Sequence, residues 1–165
     1  MCTLYLGFPF YLVQRKQVVL QKGEPLRATA PLSEPQESYR GIYLPVQLPE
    51  EAEVSFPVRR GQTVFVEVKQ HEQTLAIKAV TRRRPDTDTY LRADVRYVQD
   101  SLVFLNFPAS AKKVFLTPRE AARWESVYYE EAEPPTLSGK NLPVAIYVYR
   151  GRGIADHILA PGAER

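Results

Sequence analysis

Ser33 and Lys78 are the residues of this chain best suited to nucleophilic catalysis. A lysine withdrawn from water loses its proton more readily and can then take one from a serine hydroxyl. The alternative for this pair is a turn serine and a solvent-facing lysine. Arg82, Arg83 and Arg84 form the densest positive run, and Arg59, Arg60, Arg92 and Arg96 lie within a few strands of it. Clustered arginines can grip phosphates or anionic headgroups. Tyr90 and Tyr97 would add stacking surfaces for single-stranded nucleic acid. Against this, Asp86, Asp88 and Asp94 neutralise much of the run, so a solvated loop is the plainer expectation and nucleic acid is not the expected partner. Trp124, Tyr128, Tyr129, Tyr147 and Tyr149 are a third group, of the types enriched at protein interfaces. A core role suits them as well, with Trp124 packing a helix on a sheet. For metal chemistry the donors are poor. The sequence holds one cysteine, Cys2, and two distant histidines, His71 and His157, while Glu130-Glu131-Ala132-Glu133 reads as a solvated acidic loop. No metal and no cofactor is expected.

The elements that must position these side chains are short. At 165 residues, 44% hydrophobic and 25% charged, the chain has the balance of a single globular domain. Fourteen prolines favour short strands joined by turns over long helices. The formal net charge of +3 is a mild basic excess, compatible with anionic partners without specifying one. A lone cysteine excludes an internal disulfide.

Alternation of period two marks the strands. Ile42, Leu44, Val46 and Leu48 alternate with Tyr43, Pro45 and Gln47. Val64, Val66 and Val68 face one way and Phe65, Glu67 and Lys69 the other. With Leu75, Ile77 and Ala79 beyond the polar tip 70–73, they make the clearest hairpin. Leu91, Ala93, Val95 and Tyr97 define a further strand, residues 102–107 its partner, and Val144, Ile146 and Val148 a late one closed by the turn Gly151-Arg152-Gly153. Thr117-Pro118-Arg119-Glu120 is the best helix start, a capping box with proline at the first helical position, and predicts one helix over about 117–129. The fold class expected is mainly β, a short-stranded antiparallel barrel or sandwich with that single helix.

Met1 to Val13 carries no charge and is followed at once by Arg15 and Lys16. A bilayer span needs roughly 20 apolar residues, so the run suits the end of a membrane anchor, an interfacial segment or a buried first strand. Gly7 and Pro9 argue against a regular helix there. Val18, Val19 and Leu20 read as strand. The organisation expected is an apolar segment over 1–16, one β domain over 17–160 and a frayed tail over 161–165.

From about Gln17 to Leu159 the order of features resembles the bacterial GDYXXLXXD proteins, named for a Gly-Asp-Tyr-x-x-Leu-x-x-Asp signature. Thr29-Ala30-Pro31-Leu32-Ser33-Glu34-Pro35 leads to Arg40-Gly41-Ile42-Tyr43, where Gly41 and Tyr43 match. Ile42 stands in place of the first aspartate, Val46 of the leucine and Pro49 of the second aspartate, so no role of those carboxylates transfers. Lys113 to Glu120 with Trp124-Glu125 is similar to the family's aromatic-to-helix segment, and Val144 to Ile158 to its closing hairpin. The resemblance implies an uncharacterised extracytoplasmic domain, membrane-anchored by one N-terminal span in the cell envelope, with no established activity. A fainter likeness links Ser33-Glu34-Pro35 and Gly41 to the Ser-Met-x-Pro box and Gly-Asp pair of type I signal peptidases, with Lys78 as the base. The box is one residue short.

The expected function is therefore a binding or structural module of a bacterial envelope assembly, not an enzyme, with an unknown envelope or membrane protein as partner. A Ser33/Lys78 hydrolase is one alternative. Anionic-ligand or nucleic-acid binding through Arg82 to Arg84 is the other, with Arg92, Arg96 and Trp124 as further candidate binding residues. A cytoplasmic location is the alternative to the envelope.

Overall fold

A computed structural model of the chain describes residues 4–131 and 141–159, with side chains over 13–129 and 141–159. The acidic loop expected from Glu130 begins later, since 130–131 are helical; its remainder over 132–140 and the tail over 161–165 lie outside the described residues. The architecture is mainly β, built around a nearly closed, barrel-like antiparallel sheet.

That sheet is made from β4 (Glu51–Glu53), β5 (Thr63–His71), β6 (Thr74–Thr81), β7 (Tyr90–Gln99) and β8 (Leu102–Asn106), in the order β4-β8-β7-β5-β6. The alternation is realised: Val64, Val66 and Val68 of β5 and Leu91, Ala93 and Val95 of β7 are buried together. Register breaks between Glu67 and Val68 and between Val95 and Tyr97 bend the strands. The end strands β4 and β6 meet, which nearly closes the sheet.

Two three-stranded antiparallel sheets complete the core. One is β1 (Glu24–Pro31), β10 (Asn141–Tyr149) and β11 (Arg152–Ile158); the other is β2 (Gln36–Ser38), β3 (Gly41–Pro45) and β9 (Lys113–Leu116). Leu26, Leu44, Val114 and Ile146 from these sheets share one hydrophobic cluster with Leu91 and Leu105. Ile42, at the place of the signature's first aspartate, pairs with Leu116. The sheets are stitched by a parallel bridge between Leu91 and Gly151, where the Arg92 N–H donates to the Gly151 carbonyl at 3.0 Å and the Gly151 N–H to the Tyr90 carbonyl at 2.8 Å.

Among the described residues three helices accompany the strands, where one was expected: α1 (Leu4–Lys22), α2 (Ala109–Lys112) and α3 (Pro118–Glu131). The α3 start follows its capping box. The Thr117 N–H and hydroxyl donate to Glu120 Oε2 at 2.8 and 2.7 Å, and the Glu120 N–H returns to the hydroxyl at 3.3 Å. These bonds, the backbone one foremost, hold the Glu120 carboxyl below its usual range. Ala121 is buried while Trp124 is half-buried.

α1 corrects the expectation most. Residues 4–13 are neither a buried strand nor broken at Gly7 and Pro9, and 18–20 continue the same helix across the boundary placed at 16. A proline withdraws only its own N–H, here the donor to the carbonyl four residues back, and the remaining turns keep their bonds. An apolar triplet without alternation is also ambiguous between helix and strand. Val19 settles it by docking the last turn against β10 and β11, where it is fully buried. Gly23 then ends the helix with its N–H on the Val19 carbonyl at 2.8 Å. A Cβ at Gly23 would lie 2.3 Å from that same oxygen, so the turn is closed to any larger residue. Val13 and Val18 remain exposed.

Candidate functional site

Outward-facing positions of β7 set the first part of the site. Alternation turns Arg92, Asp94 and Arg96 away from the core, and the register places Asp94 beside Asn106 of β8. The bridge at Gly151 brings the β10–β11 turn against β7. Arg92, Asp94 and Asn106 thereby meet Arg150 and Arg152 around a cleft of about 500 Å³. Asp94 accepts from the Thr63 hydroxyl at 2.8 Å. Arg150 is committed to Asp88 at 2.6 Å, and that hydrogen bond and charge raise its pKa further.

A second cleft of about 480 Å³ adjoins the first and shares Pro108, Gly151 and Arg152 with it. α1 supplies Arg15 and Lys16, the β2–β3 turn Arg40, β9 Lys113 and Phe115, and β11 Arg152, Ile154 and Asp156. Five cations thus face one carboxylate. The Asp156 carboxylate also lies 3.0 Å from His157 Nδ1. Lys113 Nζ sits 3.9 Å from the Tyr43 ring centre, and the Arg40 guanidinium 5.1 Å from that of Tyr39. Tyr39 is 89% exposed and Phe115 40%. Val19 and Ile154 add apolar wall. Positive charge beside exposed apolar surface can hold an anion and the hydrocarbon attached to it.

Comparison with protein-family models, curated proteins and solved structures finds no match to this chain.

The expected site residues divide sharply. Arg92 lines the first cleft, and Arg96 a smaller neighbouring one with Arg60. The arginine run does not act as a unit. Arg82 donates to the Pro57 carbonyl and lies over Phe56, while Arg84 lies over Tyr90. Arg82 to Arg84 line neither cleft. Trp124 carries the Arg123 guanidinium 5.5 Å over its ring, and Tyr128 meets Tyr129 edge-on. Among the described residues no ring contact joins them to Tyr147 or Tyr149.

The Ser33/Lys78 pairing required by the hydrolase alternative is not made. Ser33 Oγ is buried without a hydrogen-bond partner among the described residues. Lys78 Nζ is held 3.1 Å from Glu67 Oε2 on a side chain 60% exposed, the reverse of a desolvated base. Among the described residues no group of three or more His, Cys, Asp or Glu could hold a metal ion.

Sequence reasoning passed over Arg40, Lys113, Arg150 and Arg152 as candidates. The turn at Gly151 was legible, but nothing local ties it to β7 or β9.

Proposed function

We propose that the chain is a non-catalytic binding module of a bacterial envelope assembly, with its β domain set against a membrane face on the extracytoplasmic side. One observation carries this reading: five cations line a cleft against α1, the helix whose residues 4–13 carry no charge. Anionic headgroups attract each such cation by about 1 kcal/mol. Tyrosine sits well at headgroup depth, with its ring among the chains and its hydroxyl in water, and Tyr39 stands exposed beside Arg40. Val19 and the Gly23 turn fix the helix to the domain, so its direction sets which surface faces the lipid. Among the described residues no helix is long and apolar enough to cross a membrane. The contact proposed from the cation ring and Tyr39 is interfacial. The extracytoplasmic side and the envelope setting are supported by the likeness in layout to the GDYXXLXXD proteins.

Flotation of the full chain with lipid vesicles tests it. The chain is expected to rise with phosphatidylcholine vesicles, and in larger share when phosphatidylglycerol is added, with the added share lost in high salt. A chain that stays in the dense fraction with both compositions overturns the proposal.

A further inference from the structure

We infer that the second cleft, between α1, β9 and β11, binds a single anionic glycerophospholipid. Its phosphate is placed on Arg40, Lys113 and Arg152 and its hydrocarbon over Phe115 and Ile154. The inference rests on the membrane reading above and deepens it by naming a ligand and a built slot.

Size and wall chemistry both point this way. The cleft's volume of about 480 Å³ falls within the range of small-molecule sites, roughly 300–1,000 Å³. Arg40, Lys113 and Arg152 alone outnumber the one acid of the lining, Asp156. Arg40, Lys113 and Arg152 make no ion pair among the described residues. Two of them rest on aromatic rings instead, which holds a cation in place without neutralising it. Free phosphate would satisfy the charge and leave Phe115 and Ile154 in water. A neutral hydrocarbon would cover those side chains and leave the cations unmatched. A molecule carrying both parts answers both walls. Arg15 and Lys16 of the lining follow the exposed Val13 on α1, so the cleft lies against the helix that carries the apolar residues 4–13.

Calorimetric titration of the full chain with short-chain lipids below their micelle concentration separates the cases. Dihexanoyl phosphatidylglycerol is expected to bind saturably, one per chain, about tenfold or more tighter than dihexanoyl phosphatidylcholine or glycerol 3-phosphate. Lys113→Gln with Arg152→Gln should bring the phosphatidylglycerol affinity down to that of phosphatidylcholine. Phe115→Ser, at a position 40% exposed, should weaken the lipid and leave glycerol 3-phosphate unchanged. Equal affinity for glycerol 3-phosphate would reduce the cleft to an anion site and overturn the proposal. Equal affinity for phosphatidylcholine, no saturable binding, or self-association of the chain that excludes lipid overturns it too. A chain that floats on vesicles yet takes up no soluble lipid loses this inference and keeps the membrane reading. One that binds soluble lipid yet never floats loses the membrane reading.

Discussion

Leu91→Ala is expected to destabilise the chain by about 2–5 kcal/mol, the range for truncating a buried leucine. Leu91 is fully buried on β7, beside the bridge that joins the barrel-like sheet to β11. Its neighbour across that junction is Gly153, where a Cβ would lie 2.7 Å from Leu91 Cδ2 and 2.9 Å from Ala111 Cβ. The leucine fills the space that glycine leaves, so removing it opens a void in the seam that also sets Arg152 beside Arg92. Chemical denaturation followed by circular dichroism measures the loss, which should lower the thermal midpoint on the order of 10 °C. Gly153→Ala alone should cost about 1–3 kcal/mol through overpacking. In the Leu91→Ala background it should cost distinctly less, because one of its two close neighbours is gone. The two costs are coupled, and simple additivity would contradict the packing described.

Neutralising Arg40, Lys113 and Arg152 together to glutamine is expected to weaken binding to phosphatidylglycerol vesicles by about 3 kcal/mol, at about 1 kcal/mol per surface cation. That corresponds to roughly 150-fold in the partition coefficient at low salt. The three side chains reach the same cleft, so their losses fall on one surface. Neutralising Arg82, Arg83 and Arg84 removes the same charge from a loop that lines neither cleft, two of whose members already contact Pro57, Phe56 and Tyr90. Its effect should be under about tenfold. Vesicle sedimentation at several lipid concentrations gives both numbers. Equal losses from the two triples would make net charge, rather than the groove, the cause.

The contrast between those triples also shows what a sequence can carry. Where local pattern suffices, the fold was legible: the β5–β6 hairpin, the β7–β8 pair and the α3 start follow from alternation and from a capping box that forms as read. α1 was not, since an unbroken apolar run gives no period and the docking of Val19 lies far along the chain, against β10 and β11. The three-residue β4 and four-residue α2 are too short to leave a pattern. For the site, adjacency in sequence misled. Arg82, Arg83 and Arg84 stand side by side in a loop, where neighbouring side chains diverge: Arg82 goes to Pro57 and Phe56, Arg84 to Tyr90. Arg92 and Arg96 were named for their nearness to that run in sequence, and alternation on β7 turns both outward. Arg40, Lys113 and Arg152 converge through two long-range events, the pairing of Ile42 with Leu116 and the approach of β9 to β11. Neither event has a local signature.

Which surface meets lipid is best tested by two single-cysteine labels in a Cys2→Ser background, each carrying a polarity-sensitive fluorophore. One replaces Tyr39, beside the cationic ring. The other replaces Ser101, in the turn of the β7–β8 hairpin, beyond the run of β7 from Arg92 to Gln99, seven residues along and so roughly 23 Å. On phosphatidylglycerol vesicles containing nitroxide lipid, the label at 39 should shift to the blue and be quenched, while the label at 101 behaves as it does in buffer. Quenching at 101 with none at 39, or equal quenching at both, would contradict the orientation and with it the role assigned to the groove.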